Sequence, residues 1–100
     1  MDVHGSLRSF LGAQLGPAFE IRVIAVPPGG SRRYVDDEWR DALVVVEDGE
    51  IELEGTGGSR LRFRQGGVLW LAGLPLRSLN NHGTETAVLV AVSRRVPPDR

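Results

Sequence analysis

Asp41 to Arg64 reads DALVVVEDGEIELEGTGGSRLRFR, and this stretch decides the fold class. ALVVV is an unbroken apolar run, the pattern of a strand covered on both faces. Asp48-Gly49 between two such segments is a strong short-range hairpin signal, because a two-residue turn of this type needs positive φ at both positions. A two-residue turn there sets Glu47 opposite Glu50, Val46 opposite Ile51 and Val44 opposite Leu53. Val44, Val46, Ile51 and Leu53 then share one face, and Ala42 continues it. The second half, EIELE-GTGGS-RLRFR, has its own natural register. Glu54 meets Arg60, Glu52 meets Arg62 and Glu50 meets Arg64, while Leu53 pairs with Leu61 and Ile51 with Phe63. One side is a ladder of acid–base pairs and the other is core. Each exposed pair is worth about 0.2–1 kcal/mol, so the ladder sets register and solubility more than it binds anything.

Working outward, strands and turns continue in both directions. FEIRVIAV (19–26) is a strand ended by Pro27-Pro28-Gly29-Gly30. SRRYVDDEWRD (31–41) is polar and irregular, with an acidic knot at Asp36, Asp37 and Glu38. After Gln65-Gly66-Gly67, VLWL reads as a buried strand, with Trp70 in the core. AGLPLRSLNNHGTE holds two turns around a short extended piece, and Asn80-Asn81 reads as turn chemistry. TAVLVAV is the last strand. Short strands separated by Gly, Pro and Asn turns, with no long helix, make an all-β barrel or sandwich. The expected division is an N-terminal strap over 1–18, helical or irregular, a barrel over 19–95 and a tail over 96–100. Leu43 and Val45 fall on the outer side beside Glu52 and Glu54, where an exposed sheet would not place them. A covering partner, in the simplest case a second copy, is expected.

Composition narrows the function classes. Twelve basic residues against thirteen acidic ones leave a net charge of −1, which speaks against a large nucleic-acid footprint. The arginines at 60, 62 and 64 are matched by glutamates strand for strand. There is no cysteine, so disulfides, thiolate metal sites and cysteine nucleophiles drop out. Lysine is absent too, which removes Schiff-base chemistry. No apolar run reaches membrane-spanning length and no leader pattern opens the chain, so the expected location is the cytoplasm. GTGGS joins two strands and opens no helix, unlike a phosphate-cradling loop.

PPGGS, DALVVVEDGEIELE, FRQGGVLWLAGLP and NNHGTETAVLVAVSR resemble the cupin superfamily in order and spacing, over Phe19 to Arg95. VVVEDGEIEL resembles the strands closing the first cupin motif, GGVLWLAGLP the segment opening the second, and NHGTE the turn before the last strand. The resemblance implies a cupin-type jelly-roll β-barrel, commonly a homodimer, with its site in the barrel mouth. It also implies four metal ligands, two histidines and a glutamate from the first motif and one histidine from the second. Counting back from Gly49, the glutamate position falls on Ala42. The histidine pair falls on Asp36 and Glu38, or on Val35 and Asp37. The last histidine falls on Leu76 or Arg77, because the spacing to Asn81 is one residue long. None of the four ligands is kept, so no metal and no cofactor is expected; a divalent metal of the Fe, Ni or Zn type wants imidazole.

The candidates for ligand binding are therefore Tyr34, Asp36, Glu38, Arg77 and His82. Arg77 could take the lost metal's place by pairing with Asp36 or Glu38. His4 and His82 are read mainly as tail and solvated turn, Trp39 as core or a cap on the mouth. The leading reading is a metal-free domain binding a small organic ligand in the mouth. The alternatives are a metal-independent isomerase, epimerase or cyclase using Asp36, Glu38, Tyr34 or His82, a structural or partner-binding domain, and a metalloenzyme with unusual ligands.

Overall fold

A computed structural model of the chain describes residues 16–94. The strap over 1–18 is described only at Gly16–Ala18, a 3-10 turn; His4 and the 96–100 tail lie outside the described residues. Eight strands follow: β1 (Phe19–Val26), β2 (Ser31–Arg33), β3 (Ala42–Asp48), β4 (Glu50–Gly55), β5 (Arg60–Arg64), β6 (Val68–Trp70), β7 (Leu76–Asn80) and β8 (Ala87–Arg94). One short helix, α1 (Asp36–Trp39), lies in the stretch read as irregular. The strands form two antiparallel sheets of four, ordered β1-β8-β3-β6 and β2-β7-β4-β5. The patterning implies an all-β barrel or sandwich, and the two sheets are the jelly-roll barrel that the resemblance implies. No helix among the described residues is long and apolar enough to cross a membrane.

The β4–β5 register is the one read from the sequence, from Glu50 opposite Arg64 to Glu54 opposite Arg60. The ladder itself is corrected. No Glu–Arg ion pair joins these two strands among the described residues. Glu52 is buried, and β7 covers its other flank.

Asp48-Gly49 closes no hairpin. β3 pairs with β6 and β8, and β4 pairs with β5 and β7, so the chain turns a corner between sheets. The physical reason lies in the backbone. Only Gly49 takes positive φ, at 72°, whereas the expected turn needs both central residues there. A bulge between Val46 and Asp48 precedes it. A Cβ at Gly49 would lie 2.8 Å from the Thr86 carbonyl oxygen, so the corner also packs against the entry to β8. The shared face survives without the hairpin. Ala42, Val44, Val46, Ile51 and Leu53 are all buried in one core, because strands from the two sheets face each other across it.

Strands β3 and β6 are not covered on both faces. Leu43, Val68 and Trp70 stand exposed, Trp70 at 52%, which corrects its placement in the core. Leu69 and Leu71 are the buried members of that segment. The neighbours of Leu43 and Val45 are also not Glu52 and Glu54. Across the outer face the rows are Val23, Val90, Val45, Val68 and Ile21, Val92, Leu43, Trp70.

At the first turn, Gly29 takes φ 75° and the Gly30 amide donates to the Pro27 carbonyl at 2.8 Å. With Pro28 and Gly29 as the central residues this is a type II turn. Asn81 is a buried organiser more than a turn residue. Its amide donates to the carbonyls of Val26, at 2.9 Å, and Glu85, at 2.7 Å, and its oxygen accepts from the Gly83 amide at 2.8 Å. It lacks positive φ.

Candidate functional site

The barrel mouth is built by the start of β1, α1, the start of β3 and the end of β8. Alternation along β1 places Glu20 and Arg22 on the same inward face as Ile24 and Val26. Cross-strand pairing sets Glu20, Ser93 and Ala42 in one row and Arg22, Ala91 and Val44 in the next. On the other sheet Arg32 pairs with the core residue Leu79 and also points inward.

Trp39, the last residue of α1, is fully buried and fills the mouth from above. The Arg22 guanidinium stands over its ring, 5.7 Å from the centroid, within cation–π range. The same guanidinium donates to the Glu38 main-chain carbonyl. Arg32 forms an ion pair with the Glu38 carboxylate. Two inward arginines thus grip one glutamate. The grip leaves two buried polar atoms without a hydrogen-bond partner, the Trp39 indole nitrogen and Arg32 Nε. Arg22 and Arg32 escaped the sequence reading. Their signal was available for Arg22, since i, i+2, i+4 along EIRVIAV puts it on the face of Ile24 and Val26.

Tyr34, Asp36 and Glu38 come together at this end. The Tyr34 hydroxyl lies 2.9 Å from Asp36 Oδ1 and 3.3 Å from the Leu71 carbonyl oxygen. Burial first, and the Asp36 carboxylate next, push the Tyr34 phenol up to about 12. Arg40 pairs with Asp37 at 2.7 Å. Beside α1 a cleft of about 520 Å³ opens between Glu20, Arg22, Glu38, Asp41 and Ser93. A second cleft, of about 490 Å³, lies at the other end of β3, beside Gly49 and Gly83.

Arg77 does not join the mouth. The expected pair with Asp36 or Glu38 is not made; the acids hold Tyr34 and Arg32 instead. The reason is a bulge between β4 and β7, where Glu54 faces Ser78 and Gly55 faces Leu76. Arg77 is the extra residue, the same one that lengthens the spacing to Asn81. Its side chain, 62% exposed, reaches out to Glu54 at 4.0 Å and the Thr56 carbonyl at 3.4 Å. Leu76 packs against the core and holds the inward position.

His82 lies elsewhere again, on the outer face of the second sheet. It is not a freely solvated turn residue. Its Nε2 is 2.9 Å from Glu52 Oε1. Asn80 donates to both Glu52 and Glu54 at 3.3 Å, and Ser31 donates to Asn80 at 2.5 Å. The hydrogen bond from His82, with smaller help from Asn80 against the opposing effect of burial, holds Glu52 below the usual carboxylate range.

The four positions that the cupin pattern gives to a metal do not fit one. Ala42 supplies a methyl group inside the apolar core and Leu76 a hydrocarbon. Glu38 is committed to Arg32, whose positive charge opposes a nearby cation. Asp36 accepts from Tyr34. Among the described residues no three His, Asp or Glu groups converge to hold an ion.

No family model and no curated protein matches the chain. Solved structures do. The chain is similar to the Cupin_2 domain of an XRE family transcriptional regulator from Enterobacter cloacae, with 18% identity, 80% of this chain and 84% of that one covered, and a TM-score of 0.62. It is similar to a sugar phosphate isomerase of the cupin superfamily from Silicibacter pomeroyi, with 25% identity and a TM-score of 0.61 over 87% of this chain and 57% of that one. A Cupin 2 conserved barrel domain protein from Salinispora arenicola aligns at 25% identity, covering 75% and 61%, with a TM-score of 0.56. The chain spans little more than half the length of the isomerase. Strand order, core and these matches agree: the chain is a small cupin by fold, without the histidines of the usual metal site.

Proposed function

We propose that this cupin-fold domain binds a small organic ligand at the barrel mouth and does so without a metal. The observation that carries the reading is the cleft beside α1. It opens at the barrel mouth, where the cupin resemblance leads one to expect a site, and it is lined by Arg22, Glu20, Asp41 and Ser93, which carry guanidinium, carboxylate and hydroxyl groups. Catalysis is the weaker reading for this end, because Asp36 and Glu38, the candidate bases, are occupied by Tyr34 and Arg32. A thermal-shift screen of sugar phosphates and organic acids tests it, the first class chosen from the name of the Silicibacter pomeroyi neighbour. A ligand at a hundredfold excess over its Kd stabilises by about 2.7 kcal/mol. A rise in melting temperature that Arg22→Ala abolishes supports the mouth; no shift with either class contradicts it.

We propose further that two copies pack through the outer face of the β1-β8-β3-β6 sheet. Two of its cross-strand rows hold eight apolar side chains and no charge, and Val23, Leu43, Val68 and Trp70 among them stand exposed. Face-to-face packing of two such sheets removes Val68 and Trp70 from water. Light scattering should give the mass of two chains, and of one chain for Trp70→Glu with an unchanged circular dichroism spectrum. A one-chain mass for the unaltered protein contradicts the dimer.

A further inference from the structure

We infer that α1 is a removable plug, and that the site beneath it takes an organic anion with a flat apolar body. This rests on the mouth reading and names the ligand class for it. Three observations support it. First, Trp39 is wholly buried, yet its indole nitrogen has no hydrogen-bond partner. A buried donor left unpaired is destabilising, so the indole fills this space without satisfying it. Second, the contacts that hold the plug are ionic at one point. Arg22 and Arg32 reach Glu38 from opposite sheets, one at the carbonyl and one at the carboxylate. Glu38 is thus an internal carboxylate seated on the Arg32 guanidinium, with its main-chain carbonyl on Arg22, next to a flat ring seated in an apolar barrel. Third, α1 is short and bounded by distinct joints. The Tyr34 amide is tied to the Arg77 carbonyl at 2.9 Å on one side, and on the other Asp41 takes a left-handed φ of 57° before β3 begins.

The plug is therefore a copy, in the chain itself, of the ligand it excludes. A carboxylate, sulfonate or phosphate takes the place of the Glu38 carboxylate on Arg32, a planar pairing that guanidinium favours, and meets Arg22 once the Glu38 carbonyl has left it. The apolar body of the same molecule takes the place of the indole. The adjoining cleft of about 520 Å³ is lined by Arg22 and Glu38 themselves, so a ligand can meet the first guanidinium before the plug moves. The apparent affinity is then set by the fraction of molecules with α1 displaced, since Kd rises as that fraction falls.

The test uses the whole chain carrying Trp70→Phe, so that Trp39 is its one tryptophan. The probe is 3-phenylpropionate, with uncharged 3-phenylpropionamide as control. The expected result is a red shift and stronger acrylamide quenching of Trp39 on adding the acid and not the amide. Glu38→Gln, which unlatches Arg32, should tighten the acid by roughly tenfold, and Arg32→Leu should abolish its binding. Calorimetric binding of the acid with Trp39 emission unchanged overturns the plug and leaves the mouth reading standing. No binding of the acid even to Glu38→Gln, with Trp39 quenched there, overturns the ligand class. Hydrogen exchange on the unaltered protein needs no variant. The amides of Glu38 to Asp41 should exchange through an opening that leaves β3 and β8 protected, and exchange of these amides only with the strands overturns the plug.

Discussion

Asn81 holds three backbone groups at once, the carbonyls of Val26 and Glu85 and the amide of Gly83. It joins the end of β1 to the turn before β8, and it is buried. Asn81→Ala should lose about 2–4 kcal/mol, because each stranded buried group costs about 1–3 kcal/mol; the shift of the urea midpoint reads this directly. Its neighbour His82 acts through Glu52. The Glu52 carboxylate is held below its ordinary range in the folded chain. Its contribution to stability is then present above the unfolded carboxylate value and is lost as pH falls through the folded one. Glu52→Gln should flatten that acid limb of a stability–pH curve and leave the slope near neutral pH unchanged. Tyr34 runs the other way. Its phenol is raised to about 12, so stability is constant below the ordinary tyrosine value and is lost as pH rises from about 10 toward 12. The chain has one tyrosine, and phenolate absorbance near neutral and alkaline pH therefore reports this residue alone. The folded midpoint should lie near 12, and Asp36→Asn should bring it partway down.

Among the elements, the ones legible in the sequence were those whose pattern depends on a single alternation. The β4–β5 register followed from EIELE facing RLRFR, and the inward row of Ala42, Val44, Val46, Ile51 and Leu53 followed from period two. The misread elements are those where the backbone departs from ideal geometry. The β3–β4 corner looks like a hairpin because Asp-Gly is shared by both, and the φ of Asp48 and the bulge before it separate them. The β4–β7 bulge moves Arg77 out of the mouth; the extra residue was visible as a spacing anomaly before Asn81, but the pattern could not say which of Leu76 and Arg77 was extruded. Trp70 was misplaced because VLWL is apolar throughout, and an apolar run does not say which face meets another layer. At the site, Asp36 and Glu38 were readable from the motif positions and Tyr34 from its place beside the acidic knot. Arg22 and Arg32 were not, because a charged residue in a strand is ordinarily assigned to the solvent side. The bulge leaves a clear expectation. With an exposed side chain and long contacts to Glu54 and Thr56, Arg77→Leu should change stability by no more than about 0.5 kcal/mol. A loss of several kcal/mol on thermal unfolding would require a buried pairing that the bulge excludes.

At the scale of the whole molecule, two sheets enclose a core that side chains fill, with Trp39 at one end and Ala42 where the cupin pattern places a metal-binding glutamate. The domain keeps the family's architecture and lacks the donors of its usual chemistry. The inward charges that replace them, on Arg22, Arg32 and Glu38, repel a cation and suit an anion. Elemental analysis of the purified protein after incubation with iron, nickel, manganese and zinc tests this most directly. The account predicts metal far below one atom per chain and no change in melting temperature with any of the four. One bound metal per chain, lost together with its stabilisation in Glu38→Gln, would contradict it.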